Sequence, residues 1–460
     1  MTPSGYYEDL VRQVITDRRW ITAFDVAYSA AGVATKLKAL GASGCIAVGA
    51  SRGTGELPEG QEAIILDVVA KTMMGGIRAS EAALDALPAH AIAQIDAFDP
   101  DHTARVIRAL FSEGADVAGR PTYGRRRPEW VALEDKLIVD ALWDDIGIPR
   151  APARIVPTAQ AAEAAVSLDE GLGTVWVGDN RDGWHGGAAL LRWVRTPADA
   201  DDARRFLAAH CDRARIMPFL DGIPCSIHGI VFEDAVVALR PCEMLVLRRP
   251  GTTQLRYAAA ATFWDPRPED REGLRDIARR VGAHLRQAVN YRGVFTVDGV
   301  MTPEGFLPTE LNPRFGAAIG VMTNSIPGLP MYLLNLAIVA GEPLDWRPAD
   351  LEALILDAAD THRAGRSGTL VNHPIETLTR QPLRWDGDRF VHAGDEEPDA
   401  QLVLGPAAAG GYLNVTFLPD RTPHGPSAAP RAAAALAYAD ATFDLGIGPL
   451  TPAPDLRPSG

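Results

Sequence analysis

Lysine is almost missing from this chain: beyond Lys71 only Lys136 occurs, and arginine supplies nearly all other positive charge. Basic residues are outnumbered as a whole, 45 Lys and Arg against 59 Asp and Glu, for a formal net charge of -14. That balance argues against general affinity for nucleic acid, whose phosphates are held through clustered basic residues. Long apolar runs are absent too. No segment approaches the roughly 18 apolar residues of a membrane span, and residues 1–20 are mixed and charged, without an apolar core and cleavage site. The expectation is a cytoplasmic protein with neither nucleic-acid nor membrane partner. Cysteine is scarce: Cys45, Cys211, Cys225 and Cys242 form no Cys-x-x-Cys pair, which disfavours zinc and a disulfide framework and leaves buried free thiols. No internal repeat is evident.

What is present is an ample core. At 460 residues with 47% apolar content, the chain is long enough for about three domains. Its most informative stretch is residues 293–316, Gly-Val-Phe-Thr-Val-Asp-Gly-Val-Met-Thr-Pro-Glu-Gly-Phe-Leu-Pro-Thr-Glu-Leu-Asn-Pro-Arg-Phe-Gly. Two strand-like runs each end on an acid and are joined by a turn holding Pro303 and Gly305, which predicts Asp298 and Glu310 side by side on paired strands. Asn312 follows Glu310 by two residues, the side-chain period of a strand, so both point to one face. Three oxygen ligands converging there, with Arg314 next, suit a hard Mg²⁺ ion that also holds phosphate oxygens. The same residues also read as a plain hairpin with exposed acids and a turn at Asn312-Pro313.

This pattern resembles the metal-binding hairpin of the ATP-grasp superfamily, whose signature is an acid on one strand and Glu-x-Asn-x-Arg on the next. The resemblance implies ATP and Mg²⁺ as cofactors, with Mn²⁺ as the alternative ion. It makes Asp298, Glu310 and Asn312 the metal ligands. It makes Glu310, Asn312 and Arg314 the catalytic set, with Arg314 on the transferred phosphoryl group.

Further segments extend the likeness. Residues 134–152 carry Leu137, Ile138, Ala141, Leu142 and Ile146 at helical spacing, ended by Gly147 and Pro149. This is similar to the family's Asp-Lys helix, which makes Lys136 a phosphate contact. A lysine is a compact point charge suited to that role, although a solvated helix lysine reads the same. Residues 215–222, Arg-Ile-Met-Pro-Phe-Leu-Asp-Gly, are similar to the family's hinge strand. There the adenine amino group would meet the carbonyl of Pro218, and a ring nitrogen the amide of Leu220, with Phe219 between. Proline keeps its carbonyl, so the chemistry survives. The family's usual Glu or Gln is replaced by Met217, and ribose contacts stay unassigned.

The lid departs from the pattern. The strand expected at 174–177 is followed by Gly178 and the glycine loop 183–187, but the family's second lysine is missing. Arg181, His185 or Arg192 would supply the charge instead, or backbone amides of the loop would suffice. Among these His185 and Arg181 are the nearest candidates.

Residues 44–55, Gly-Cys-Ile-Ala-Val-Gly-Ala-Ser-Arg-Gly-Thr-Gly, look like the cofactor loop of short-chain dehydrogenases. The irregular stretch 56–60 follows where a helix should start, and no tyrosine is followed by lysine at the required Tyr-x-x-x-Lys distance. The segment reads instead as the first strand and loop of a parallel α/β domain. Buried runs at 45–48, 63–69 and 91–95 then alternate with helical stretches at 80–87 and 102–111.

The expected architecture is therefore α/β and α+β multidomain, an ATP-grasp fold in four parts. These are an N-terminal parallel α/β domain (1–132), a linker helix and small lid (133–220), a catalytic antiparallel sheet (221–345) and an extra C-terminal α+β domain (346–460). The helix expected at 159–167 belongs to the lid. Strands at 225–232 and 235–239 and a helix at 270–289 belong to the catalytic part. Strands at 401–404 and 412–417 and a helix at 429–443 belong to the tail.

The resemblance implies an ATP-dependent ligase that activates a carboxylate as acyl-phosphate and joins it to an amine. The partners would be a small carboxylate and an amine, amino acid or peptide, with a homodimer as one assembly to test. Residues 218–229, Pro-Phe-Leu-Asp-Gly-Ile-Pro-Cys-Ser-Ile-His-Gly, and the long tail look like peptide ligases of the pheganomycin type. Arg240, Glu243 and Arg248 are the expected substrate contacts, because an arginine fork matches a carboxylate and a glutamate can receive an ammonium; a structural ion pair is the other reading. His228, alternating with Ser226, reads as a satisfied core or lid-interface residue. A thiol ligase, a carboxylase acting through carboxyphosphate and a non-catalytic ATP-binding subunit remain alternatives. No Met-Lys-Met carrier motif occurs.

Overall fold

The computed structural model describes residues 2–53, 57–59, 63–109, 112–183, 185–407 and 410–456. Near the N-terminus, four parallel strands run in the order Ala63–Ile65, Gly44–Ser51, Arg19–Val26, Arg105–Arg108. Trp20, Ile21, Ala23, Val48, Val106 and Ile107 are fully buried, as strands covered on both faces require. The glycine motif is explained by packing: a Cβ on Gly49 would lie 2.4 Å from Cα of Ala27, the first residue of the helix Ala27–Ala39. Thr54, Gly55, Glu56 and Gly60 of that reading lie outside the described residues.

Three expectations here are corrected. The run 91–95 is helical, within Ala89–Phe98, with Ala91 and Ile95 buried one turn apart; a short apolar run does not reveal its period. The stretch 102–111 holds the strand Arg105–Arg108, whose Val106 and Ile107 pair in parallel with Ile21 and Thr22. Its last residues, Leu110 and Phe111, lie outside the described residues. Of the run 63–69 only Ala63–Ile65 is strand, although Leu66 and Val68 still donate to Gly49 and Ala50.

A second sheet is antiparallel, in the order Arg154–Pro157, Arg213–Pro218, Thr174–Gly178, Leu191–Val194. The helices Ala161–Val166 and Pro197–His210 form a small core with it around Trp176, Ala203, Leu207 and Ile216. The longer helix starts on a capping box, Thr196 with Asp199, which satisfies otherwise unpaired amides.

The third sheet has eleven strands. Its first part comprises Gly305–Asn312, Gly293–Thr302, Ile223–Val231, Cys242–Arg248 and Leu255–Ala261 in that order, with Val236–Ala238 beside Ile223–Val231. The pair Ala261 and Gly365 then carries the same sheet on into the strands between Gly365 and Phe417. One face is covered by the helix Pro268–Val289, whose Leu274, Ala278, Val281 and Leu285 are buried. Farther along, the sheet is covered by Ala429–Phe443, an alanine-rich helix that packs closely. Among the described residues no helix is long and apolar enough to cross a membrane.

Candidate active site

A cleft of about 480 Å³ opens between the four-stranded antiparallel sheet and the eleven-stranded one. Its floor is the hairpin Gly293–Thr302 and Gly305–Asn312, in which Asp298 stands directly opposite Glu310 and Thr296 opposite Asn312. The register slips once: Gly299 pairs with Pro308, leaving Thr309 as an extra residue. The regular ladder before this bulge, with its side-chain period of two, puts Asp298, Glu310 and Asn312 onto the cleft wall together. Gly299 is required beside it, since a Cβ there would lie 2.4 Å from the Leu307 carbonyl oxygen.

The side chains form one connected network. Asn312 Nδ2 donates to Asp298 Oδ2 at 2.8 Å, and Ser226 Oγ, from the neighbouring strand, donates to Asp298 Oδ1 at 2.5 Å. Arg314 Nη2 donates to Asn312 Oδ1 at 2.8 Å, and its Nε reaches Glu134, which also pairs with Arg126. Lys136 Nζ donates to Glu310 Oε1 at 2.7 Å and to the His185 carbonyl at 3.1 Å. Burial and the charge of Glu310 push the Asp298 carboxyl up to about 7. Burial also presses Glu310 upward, but Lys136 outweighs it and holds that carboxyl below its ordinary value.

This donor set fits a divalent cation. Two half-buried carboxylates facing each other repel unless a cation stands between them, and that repulsion adds to burial, the larger cause, in raising Asp298. Among the described residues no cluster of three His, Cys, Asp or Glu side chains could hold a metal. The neutral oxygen beside the two carboxylates is that of the Asn312 amide, which Arg314 engages in this structure.

Lys136 reaches the cleft from a turn, not from a helix. The helix begins only at Val139, because Asp135 Oδ1 accepts the Leu137 amide at 2.9 Å and competes with the helical pattern. It ends where expected, at Gly147, with φ of 63°.

The lid corrects the expected cations. His185 lines the cleft, but its Nε2 is 2.9 Å from the Gly178 carbonyl oxygen, and burial followed by the nearby Lys136 brings its pKa down to about 4. It is neutral at pH 7 and supplies no charge. Arg181 lies off the cleft, bonded to Asp182 at 3.0 Å, Asp212 at 3.3 Å and the Ala209 carbonyl at 2.7 Å. Arg192 is buried with its guanidinium 3.5 Å from the Phe206 ring centre. Trp184, within the glycine loop, lies outside the described residues. We therefore expect Arg181→Ala to leave ATP affinity within about twofold of wild type, by calorimetry, as for an exposed ion pair worth little.

Sequence reasoning missed Arg215. It stands opposite Val177, on the strand next to the one where a lysine was expected, and it lines the cleft. Asp140 holds it through two bonds of 2.6 and 2.8 Å, leaving Nη1 in longer contacts with Met217 Sδ at 3.2 Å and the Thr309 carbonyl at 3.5 Å. The available signal was its spacing of two from Met217, another cleft residue.

In the segment expected as the hinge, Pro218 pairs with Thr174, while Phe219 and Leu220 line the cleft. Phe219 donates its amide to the Gly173 carbonyl at 3.0 Å and stacks on Trp193, 4.1 Å between ring centres.

Two of the three expected substrate contacts are not in the cleft. Arg240 is 1% exposed and pairs with Asp265 and Asp360. Glu243 points to the opposite face, where it accepts from Ser427 Oγ and from the Ala428 amide at 2.7 Å, and burial pushes its carboxyl up to about 7. The cause is the strand period of two: Met244, Val246 and Arg248 share the cleft face and Glu243 does not. Arg248 does line the cleft, paired with Asp221 and with its guanidinium 5.1 Å from the Phe219 ring centre.

His228 also lines the cleft, is 1% exposed, and burial brings its pKa down to about 3. The unfolded chain binds that proton with the ordinary pKa of 6.5. The histidine's contribution to stability is thus fully present above pH 6.5 and is lost as pH falls from 6.5 toward 3. We expect His228→Gln to flatten the fall of unfolding free energy with acid in that window by up to about 1.4 kcal/mol per pH unit, read from urea melts.

No family model matches the chain, and no curated protein matches it by sequence. Solved structures do match. Biotin carboxylase from Campylobacter jejuni shares 12% identity over 88% of this chain and 88% of its own, with a TM-score of 0.54. L-amino acid ligase from Bacillus licheniformis shares 13% over 87% of this chain and 94% of its own, at 0.50. Rhizobium etli pyruvate carboxylase shares 17% over 88% of this chain at 0.56, and the chain spans only 36% of that larger protein. The fold is the ATP-grasp fold, with its parallel N-terminal sheet and large antiparallel sheet.

Proposed function

We propose that this protein is an ATP-dependent ligase that activates a carboxylate as an acyl-phosphate and joins it to an amine. The observation that carries this reading is the convergence of Asp298, Glu310, Asn312, Arg314 and Lys136 on one cleft wall opposite an aromatic hinge. In this reading ATP lies between Phe219-Leu220 and the hairpin. The Pro218 carbonyl and the Leu220 amide meet the purine, an assignment supported by the Phe219 amide being already used by Gly173. Lys136 and Arg215 face the phosphates. Mg²⁺, held with ATP by Asp298, Glu310 and Asn312, would neutralise phosphate charge.

The reaction needs no protein nucleophile. A carboxylate oxygen takes the γ-phosphoryl group, the bond to ADP breaks, and the amine nitrogen then attacks the acyl carbon, expelling phosphate and losing a proton. What the chain contributes is positioning and charge, with Arg314 beside the transferred group. Cys242 and Cys225 are fully buried with thiols pushed up, which fits that division of labour. Carboxylase chemistry would use the same residues, and two of the similar structures are of carboxylases. A peptide ligase of the pheganomycin type is the narrower proposal, supported by residues 218–229. The test is ADP release against a panel of carboxylic acids and amines, with mass detection of the product. A product heavier by the amine minus water supports ligation; ADP release that depends on bicarbonate overturns it in favour of a carboxylase.

A further inference from the structure

Beyond the hairpin, the cleft continues along a wall that the nucleotide reading leaves unused. It is built from Met244 and Val246 on one strand and Leu255, Tyr257 and Ala260 on the next, and it is closed by Ala453 from the C-terminal tail. Leu255 and Tyr257 follow the strand period of two. Continuing that period would present residue 259, but the register slips between Met244 and Val246, and Ala260 faces the cleft instead. The slip is held by Ala259 at φ of 120°, a conformation that side chains other than glycine rarely adopt. A strained alanine kept at a cleft wall shapes that wall.

The tail is seated there by specific bonds. The Thr451 amide donates to the Arg248 carbonyl at 2.9 Å, and the Arg248 amide donates to the Thr451 carbonyl at 2.7 Å. Asp440 accepts the Ile447 and Gly448 amides at 2.8 Å each, and Arg249 donates to the Ile447 carbonyl at 2.7 Å. Leu445 and Ile447 are buried behind it. Ala453 is thereby held two residues past the Thr451 bridge, 8% exposed, as the small residue ending the wall.

Charge on this wall is sparse. Arg248, at its edge, is already paired with Asp221, and Arg314 stands at the hairpin end. Lys136 and Arg215 also line the cleft but are taken by the phosphates in the nucleotide reading, so a phosphate ester or a second carboxylate lying along this wall would meet no further cation among the described lining residues, and a bare bicarbonate would leave the apolar surface unfilled.

We infer that the activated substrate is a carboxylic acid with an uncharged apolar body, its carboxylate at Arg314 and its body along Tyr257, Met244 and Val246, and that Ala453 limits the length of that body. This rests on the ligase reading. It assigns the C-terminal tail a direct part in choosing the substrate, because one methylene more or less in an apolar pocket changes selection by about 10- to 200-fold.

The experiment uses the full chain, wild type and Ala453→Leu, with Ala453→Gly as the enlarging variant. Acids of rising size, from propanoate through 3-methylbutanoate and 4-methylpentanoate to 3-phenylpropanoate, are compared with succinate, 6-aminohexanoate and 3-phosphonopropanoate. Two readouts are taken: binding by calorimetry with a non-hydrolysable ATP analogue, and ADP release with a mixed amine supply. Apolar acids should bind at least about tenfold tighter than charged ones of similar size. Ala453→Leu should weaken the longest acids at least about tenfold while changing propanoate less than about threefold. Ala453→Gly should extend the range, and ATP affinity should stay constant in both. Binding that discriminates by size and shifts with Ala453, without ADP release, upholds this subsite and overturns only the ligase reading. ADP release with one size profile in all three proteins, or a preference for charged acids, overturns the subsite and leaves the ligase reading standing.

Discussion

Glu310→Gln is expected to lower turnover by about a thousandfold or more, equivalent to about 4 kcal/mol of lost transition-state stabilisation, with the fold intact. Glutamine keeps the shape of the side chain and the hydrogen-bonding reach of its oxygen toward Lys136, so packing around the hairpin is preserved. What disappears is one of two opposed carboxylates, which stand directly across the ladder from each other. Asp298 should respond as well. Its carboxyl is pushed up by burial and then by Glu310, so removal of that neighbour lowers its pKa and leaves one carboxylate in place of the proposed pair of metal ligands. The check has two parts: initial rates, and the dependence of nucleotide affinity on Mg²⁺ measured by calorimetry. Wild-type turnover in this variant, or an unchanged Mg²⁺ dependence, removes Glu310 from the metal site.

Lys136→Ala is expected to weaken ATP binding about 10- to 150-fold, from a lost charge-assisted contact of about 1.5–3 kcal/mol. Lys136 is the cation that holds Glu310 ionised, through its 2.7 Å bond. Without it the Glu310 carboxyl rises, and affinity in the variant should fall with acid at a higher pH than in wild type. Lys136→Arg should restore binding only in part, since a planar fork cannot occupy the place of a point charge shared between Glu310 and the His185 carbonyl. Calorimetric titrations at pH 8 and pH 6 separate the two effects. Equal affinity of Lys136→Ala and wild type at both pH values returns this lysine to a structural role.

Several features were legible in the amino-acid sequence because local chemistry specifies them. The hairpin register around Asp298 and Glu310 follows from two strand-like runs and a Pro303–Gly305 turn. The helix Pro268–Val289 follows from apolar spacing, and the end of the linker helix from Gly147. Other features depended on partners distant in the chain. Residues 91–95, Ala-Ile-Ala-Gln-Ile, and 105–108, Arg-Val-Ile-Arg, are each too short to fix a period, and only their neighbours in space made one a helix and the other a parallel strand.

The site divides the same way. Sequence alone determined which residues could make an acid, amide and arginine cluster, because Glu-x-Asn on a strand shares one face whatever surrounds it. Tertiary structure decided the rest. It turned Glu243 away from the cleft toward the start of an alanine-rich helix and buried Arg240 between two aspartates. It made His185 neutral by enclosing it beside Lys136, and it set Arg215 from a neighbouring strand near the place of the missing lysine. It also brought Ala453 to the cleft, by way of the Thr451 bridge to Arg248, a residue a little over two hundred positions earlier in the chain. Strand phase, burial and the charge of a side chain's neighbours are set by what packs against it, and no local pattern of residues encodes them.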